Sequence, residues 1–220
     1  MSNAPTPSER LRVWDLPTRL FHWLLVGCIL GSIITIKAGE TGWHFRFGYA
    51  ILCLLLFRVI WGFAGPRYAR FSSFPPRLRA AWQSLRGAPD TRPGHNPAGA
   101  LSVYALLASC FLQVATGLFA NDGIIWDGPL RKWVSGSTSD LITAIHLANR
   151  FVLIALIVLH VSAILWYRVA RGKRLTSAMI TGDAIADQPE AEPSRDDAAL
   201  RIKALIVATL SATAVWLLVR

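Results

Sequence analysis

The fold is decided by residues 141–160, which read LITAIHLANRFVLIALIVLH. A helix that crosses a bilayer needs about 20 mostly apolar residues, and this stretch supplies them. It also contains His146 and His160, which are fourteen positions apart. Fourteen residues advance an α-helix by about 21 Å and bring it back to within about 40° of its starting direction. We therefore expect both imidazoles on one face of a spanning helix, at two different depths.

Four further apolar stretches accompany this one. The five predicted spans are residues 20–37, 44–64, 98–121, 141–169 and 202–219. The chain of 220 residues is 53% hydrophobic with a mean hydropathy of +0.41, which is more apolar than a soluble domain of this size needs to be. These features predict an all-α membrane protein, with a four-helix transmembrane bundle and a fifth, C-terminal transmembrane helix.

The polar segments divide the chain into four parts. Residues 1–18 form a predicted cytoplasmic N-terminal tail, and residues 19–182 form the four-helix transmembrane domain. Residues 183–200 are rich in Asp, Glu, Ala and Pro and are predicted to be a flexible acidic linker, which leads into the transmembrane helix of residues 201–220. A short helix around residues 76–86 is expected to lie on the membrane surface.

The charge of the chain indicates its orientation in the membrane. Its formal net charge is +10, but the cations lie in short loops beside the apolar spans. This arrangement argues against a nucleic-acid partner, which would favour a continuous basic stripe. The basic clusters precede the first span, separate the second from the third and follow the fourth, so they share one side if the spans alternate. The positive-inside rule then places the N-terminus in the cytoplasm.

Four histidines fall within the predicted spans, where an ionisable side chain points to function. His22 enters the first span from the cytoplasmic side, whereas His44 and His146 each begin a span at the outer side. His160 lies deeper in the span of His146, toward the cytoplasm. The topology therefore predicts two pairs at two levels, His44 with His146 and His22 with His160.

Two imidazoles that face each other, with no carboxylate or thiolate nearby, suit the two axial positions of a haem iron. Such a site has no open coordination position and favours electron transfer. Zinc generally requires four ligands at one point, whereas the histidines are predicted to lie in twos at two depths. Zinc or copper is therefore a weaker interpretation. A purely structural role for the four histidines also remains open. The three cysteines, Cys28, Cys53 and Cys110, lie in predicted spans without metal-type spacing and are expected to be buried thiols.

Three arginines accompany the histidines. Arg19 lies one turn before His22 and Arg150 one turn after His146, where each guanidinium can meet a haem propionate. Arg58 lies inside the second span toward its cytoplasmic end. It can make the same kind of contact or extend its charged end toward water.

Other residues have more ordinary interpretations. Gly27 and Gly31 form a small-residue pair in the first span, which favours helix packing, with close approach of a porphyrin as the alternative. His95 precedes the third span and is out of line with both histidine pairs. We expect it to have a surface or helix-start role, and a contact to quinone or propionate is the sharper alternative.

Five ordered motifs carry a resemblance to a known family. They are Val13-Trp14-Asp15-Leu16-Pro17-Thr18-Arg19-Leu20-Phe21-His22-Trp23, Trp43-His44 followed by Gly48-Tyr49, Arg58-Val59-Ile60-Trp61-Gly62-Phe63, Gly94-His95-Asn96-Pro97, and the pattern from His146 to His160. In this order, over residues 13–182, they resemble the bacterial di-haem cytochrome b561 family. The resemblance is to the branch that includes the cytochrome b subunits of nickel–iron hydrogenases.

The resemblance implies a four-helix core with two b haems, ligated by histidines of the first, second and fourth spans. It implies a multi-pass protein of the bacterial cytoplasmic (inner) membrane, an electron-transfer subunit rather than an independent catalyst. It also implies exchange with quinone and a redox partner on the outer side, such as a hydrogenase, a dehydrogenase or a cytochrome. The fifth helix departs from this pattern.

Two other functions remain open at this stage. The protein can be chiefly a membrane anchor or assembly subunit for a soluble redox enzyme, or it can be a stand-alone quinol oxidase of the superoxide-oxidising type. A transporter is disfavoured because, apart from the histidines, Arg58 and Arg150, the spans contain few ionisable groups.

Overall fold

The computed structural model describes residues 10–86, 94–185 and 191–220, and most of these residues are helical. The helices are α1 (Leu16–Lys37), α2 (Thr41–Ala64), α3 (Leu78–Leu85), α4 (Pro97–Gly117), α5 (Gly136–Arg171), α6 (Leu175–Thr181) and α7 (Ala198–Val219). Two short strands, β1 (Arg10–Arg12) and β2 (Asp183–Ile185), pair with each other. Short 3-10 turns cover Arg67–Ala69, Phe71–Ser73 and Arg131–Trp133.

Five of these helices, α1, α2, α4, α5 and α7, are long and apolar enough to cross a membrane. The prediction of an all-α, multi-pass membrane protein with five spans is thereby confirmed. The longest helix, α5, has 36 residues and a length of about 54 Å, whereas the hydrocarbon core of a bilayer is about 30 Å thick. This helix therefore extends beyond the apolar layer.

Local capping explains where two of the spans begin. The carboxylate of Asp15 accepts a hydrogen bond from the Thr18 amide at 3.3 Å, so α1 starts before the predicted residue 20. The side chain of Asn96 accepts one from the Gly99 amide at 2.6 Å, and Pro97 occupies the first turn of α4.

Helix α2 lies at the centre of the packing, because it contacts α1, α4 and α7, while α4 also packs along α5. A β-carbon at Gly31 would come within 2.5 Å of the Phe47 ring, so this glycine lets α1 and α2 approach closely. Helix packing is thus the use that the structure gives to Gly31. The three cysteines are free thiols, and Cys110 belongs to the apolar core.

The acidic segment, predicted to be a flexible linker, makes specific contacts where the structure describes it. Strand β2 pairs antiparallel with β1, and the Ser194 amide donates to the Arg12 carbonyl at 2.7 Å. The Asp196 side chain is only 6% exposed and forms ion pairs with Arg12 at 2.9 Å and with Arg201 at 3.2 Å. These contacts tie the segment to the start of the chain. The rest of the predicted linker, residues 186–190, and of the predicted tail, residues 1–9, lies outside the described residues.

Helix α3 occupies the position of the expected surface helix. Its large apolar side chains Leu78, Trp82 and Leu85 are all more than half exposed. An apolar side that faces away from the protein is what a helix on a membrane surface presents to lipid.

Candidate haem sites

The imidazoles of His44 and His146 face each other across the bundle. His44 is in the first turn of α2 and His146 is in the first half of α5. Their ring centroids are 6.3 Å apart and their planes are inclined by 89°. Metal–imidazole bonds are about 2 Å long, so two nitrogens on opposite sides of one metal lie about 4 Å apart and their ring centres lie farther apart. The observed separation suits one metal between the rings.

Backbone carbonyls set the tautomers of both imidazoles. Nδ1 of His44 lies 3.0 Å from the Ser32 carbonyl, and Nδ1 of His146 lies 2.9 Å from the Gln113 carbonyl. Because a carbonyl oxygen can only accept, each Nδ1 carries the proton and each Nε2 keeps a free electron pair. Metal-bound histidines are oriented by the same kind of hydrogen bond.

A network of amide side chains lies beside His146. The Gln113 amide nitrogen is 3.1 Å from Nε2 of His146, and the buried Asn149 donates to the Gln113 side-chain oxygen at 2.8 Å. Ser109 completes the network by donating to the Asn149 side-chain oxygen at 3.1 Å. Gln113 therefore donates to the very nitrogen that would bind iron, so its amide must turn away when a metal is bound. Our sequence analysis missed these residues, although polar side chains within an apolar span are a usable signal.

Glycines leave room beside this pair. His44, His146, Gly48 and Gly117 line one cavity, and a β-carbon at Gly48 would meet no atom within 4 Å. A β-carbon at Gly117 would come within 3.1 Å of His146 Cε1. Larger side chains at these positions would fill the space or displace the imidazole, so the cavity fits a flat group between the two histidines.

His22 and His160 are the second predicted pair. They lie on α1 and α5 and interact electrostatically with each other, and Nδ1 of His22 is enclosed without a hydrogen-bond partner. Ser32, which contacts His44, follows His22 by ten residues, or about 15 Å along α1. His160 follows His146 by about 21 Å along α5. Both residues are thus displaced from the first pair toward the same end of the bundle, and their role as ligands stays a prediction.

In the structure, the side chains of Arg19 and Arg150 contact other groups of the protein. Arg19 donates to the Ile180 carbonyl at 2.6 Å and lies 3.7 Å from the Asp196 carboxylate. Arg150 is exposed, and its guanidinium lies 4.6 Å from the centre of the Phe151 ring. Their predicted contacts with haem propionates stay predictions.

His95 belongs to an aromatic cluster at the start of α4, rather than to a free surface. Its ring lies 4.7 Å from that of Trp14 and 4.5 Å from that of Phe74. Burial, and to a smaller extent the charges of Arg58 and His160, lowers the pKa of His95 to about 3. The imidazole is therefore neutral near pH 7 and can either donate or accept a hydrogen bond.

The donor set fits haem better than zinc. In residues 10–86, 94–185 and 191–220, no three His, Cys, Asp or Glu side chains come together as a metal site. Zinc generally requires four ligands at one point, whereas haem iron needs only two from the protein because the porphyrin supplies the rest.

Comparison with known sequences identifies the family. The sequence profile described as prokaryotic cytochrome b561 matches residues 13–182, more than half of the chain. The chain belongs to this family. It is therefore a membrane protein of a b-type cytochrome family, which implies haem b as the cofactor. The resemblance found in the sequence motifs is confirmed.

Named relatives of this cytochrome b561 family member are distant but cover most of its length. The probable Ni/Fe-hydrogenase 1 B-type cytochrome subunit of Escherichia coli (strain K12) is 23% identical over 209 residues, which are 77% of this chain and 88% of that protein. The probable Ni/Fe-hydrogenase B-type cytochrome subunit of Rhizobium leguminosarum bv. viciae is 24% identical over 215 residues, 80% of this chain and 90% of that protein. No solved structure matches the chain.

Proposed function

We propose that this protein carries electrons between quinone and a redox enzyme, through two b haems held by His44 with His146 and by His22 with His160. The observation that carries the proposal is the first pair, with ring centroids 6.3 Å apart and both Nδ1 atoms directed to backbone carbonyls. Two imidazoles prepared in this way suit one iron between them.

The residues around each pair define the chemistry. A bound haem supplies an iron that accepts and releases one electron. The two imidazoles of each pair would hold the iron from the protein side, which would leave no place for a substrate on the metal. The carbonyls of Ser32 and Gln113 hold the rings of His44 and His146 in one tautomer. Such a site favours electron transfer over reactions at the iron.

The two pairs provide a path along the bundle. Helix rise separates them by about 15 Å along α1 and about 21 Å along α5. Because a porphyrin extends well beyond its iron, the edges of two bound haems would be closer together than the pairs themselves. Electrons can therefore pass in series between the two ends of the bundle.

The names of the relatives favour a class of partner, and the positive charges of the loops favour one orientation in the membrane. Both named relatives are described as Ni/Fe-hydrogenase cytochrome subunits, which favours a hydrogenase or a similar redox enzyme as the partner of this chain. The cationic loops favour a cytoplasmic N-terminus by the positive-inside rule, which supports a location in the inner membrane of a bacterium. The end with His44 and His146 would then face outward, toward the partner.

Mixing the oxidised, haem-loaded protein with a short-chain quinol tests this function. We expect the haem absorbance to change to that of the reduced form when quinol is added under anaerobic conditions. Dithionite serves as the control that reduces all accessible haem. A protein that contains haem and is reduced by dithionite, but by no quinol, would contradict the proposed exchange with quinone.

A further inference from the structure

Arg58 is a buried cation that forms no ion pair with the residues that the structure describes. Only 4% of it is exposed, and its Nη1 is enclosed without a hydrogen-bond partner. The guanidinium lies 4.7 Å from the centre of the Phe71 ring and 6.0 Å from that of Phe74. Cation–π contacts hold it in place but do not satisfy its N–H groups. A buried guanidinium normally requires a paired anion, so this position calls for one.

A carboxylate that influences Arg58 is already engaged by other groups. Asp15 interacts electrostatically with Arg58, but its oxygens accept hydrogen bonds from Trp61 and Thr18 at 2.9 and 2.6 Å. In the part of the chain that the structure describes, no carboxylate forms an ion pair with Arg58.

His95 provides a second unpartnered atom in the same place. Its Nδ1 is enclosed and has no hydrogen-bond partner. Its ring lies 4.5 Å from that of Phe74, the residue whose ring also faces Arg58, and the two polar groups interact electrostatically. One guanidinium and one imidazole thus both lie near the Phe74 ring, and each has a polar atom without a hydrogen-bond partner.

Helix geometry places this position at the level of the second histidine pair. Arg58 follows His44 by fourteen residues on α2, just as His160 follows His146 on α5. Arg58 therefore lies on nearly the same face as His44 and about 21 Å farther along the helix. Asn96 donates to the Tyr167 hydroxyl at 2.5 Å, which fastens the residue next to His95 to α5, two turns beyond His160.

We propose that Arg58 and His95 together bind a carboxylate of the haem held by His22 and His160. The planar guanidinium offers the paired N–H groups that match a carboxylate, and Nδ1–H of the neutral imidazole adds a third donor. This inference rests on the proposed function. It assigns Arg58 and His95 to anchoring, a role in which neither residue touches the iron.

A redox titration of Arg58→Gln tests the proposal. A cation beside a haem carboxylate stabilises the reduced form and raises the reduction potential. Its removal should therefore lower the potential of one haem by about 59 mV, which is about a tenfold change in the equilibrium for one electron. The affected haem should be the one that is lost in His22→Ala. Arg58→Lys keeps the charge and should remain near the wild-type potential. Arg70→Gln removes an exposed arginine at the same end of the protein and should shift neither haem.

A haem with methyl-esterified carboxylates gives an independent test. If Arg58 and His95 bind a carboxylate, the esterified haem should remove most of the difference in potential between the wild-type protein and Arg58→Gln. His95→Gln should show a smaller shift of the same sign with ordinary haem. A wild-type protein that purifies without haem would overturn the proposed function and this inference with it. If the protein binds haem but Arg58→Gln leaves both reduction potentials unchanged, this inference alone would be overturned. The same holds if the substitution changes only the KM for quinol.

Discussion

The indole nitrogen of Trp61 donates a 2.9 Å hydrogen bond to the carboxylate of Asp15, and both side chains are fully buried. The two residues are 46 positions apart, one at the start of α1 and one near the end of α2. The same carboxylate caps α1 through Thr18. One acidic side chain thus begins a helix and joins it to its neighbour.

Loss of this hydrogen bond should destabilise the protein. Trp61→Phe would remove the shorter of the two hydrogen bonds that one buried oxygen of Asp15 accepts, and we expect a loss of about 1–3 kcal/mol in the free energy of unfolding. Unfolding in mixed detergent micelles, followed by circular dichroism, measures it. Trp82→Phe, on the exposed side of α3, is the matched control and should change stability little. Equal stabilities of the two variants would contradict the role of Asp15.

Asp196 should hold the acidic segment in place. Asp196→Asn weakens ion pairs with Arg12 and Arg201 and the hydrogen bond that Asp196 accepts from the Leu16 amide. We expect a loss of about 1–2 kcal/mol, because both arginines are partly exposed and water screens the charges. Faster protease cleavage between β2 and α7 would accompany it. Glu192→Gln breaks only an exposed ion pair with Arg67, and a comparable effect there would refute the assignment.

The contribution of Asp196 should also depend on pH. Although burial acts to raise it, hydrogen bonds from Arg201 and the Leu16 amide, together with nearby positive charge, lower the pKa of Asp196. A carboxyl whose pKa is lowered by folding stabilises the folded state above its unfolded pKa of about 3.9, and this stability is lost as pH falls below that value. The difference in Tm between the wild-type protein and Asp196→Asn should therefore be constant from about pH 7 to 5 and shrink below about pH 4. A difference that grows with acid would be inconsistent with this ion pair.

Filling the cavity between His44 and His146 should remove one haem and spare the other. Gly48→Leu places a branched side chain in open space that this cavity provides, one turn from His44. We expect it to halve the haem content without preventing folding. Gly27→Leu is the control, because Gly27 is exposed on α1 and a β-carbon there meets no neighbour. Full haem content in Gly48→Leu, measured by pyridine haemochrome absorbance, would argue against a cofactor at this site.

The features that depend on a local sequence pattern could be predicted from the sequence. Apolar length identified the five spans, and helix periodicity placed His146 and His160 on one face at two depths. The topology also predicted that His44 would meet His146, and the structure brings these rings together. These inferences need only helix geometry and alternation of the spans.

Contacts between distant segments could not be predicted in this way. The pairing of β1 with β2 and the ion pair between Arg12 and Asp196 join residues more than 170 positions apart. Composition alone indicated that the acidic segment would be flexible, because an arginine partner far away in the chain leaves no local signal. The carbonyls that orient His44 and His146 could not be predicted either. Every residue has a backbone carbonyl, and only the packing of the helices determines which one accepts the hydrogen bond from an imidazole.

The most direct test of two haems held by paired histidines is the reduced-minus-oxidised absorbance spectrum of the detergent-purified protein, with haem counted per chain. We expect two b haems in the wild-type protein, one in His44→Ala and one in His22→Ala. We also expect two in Trp82→Phe, which changes an exposed side chain that has no proposed role in haem binding. A protein without haem absorbance, or one whose haem content is the same in all four forms, would contradict the account.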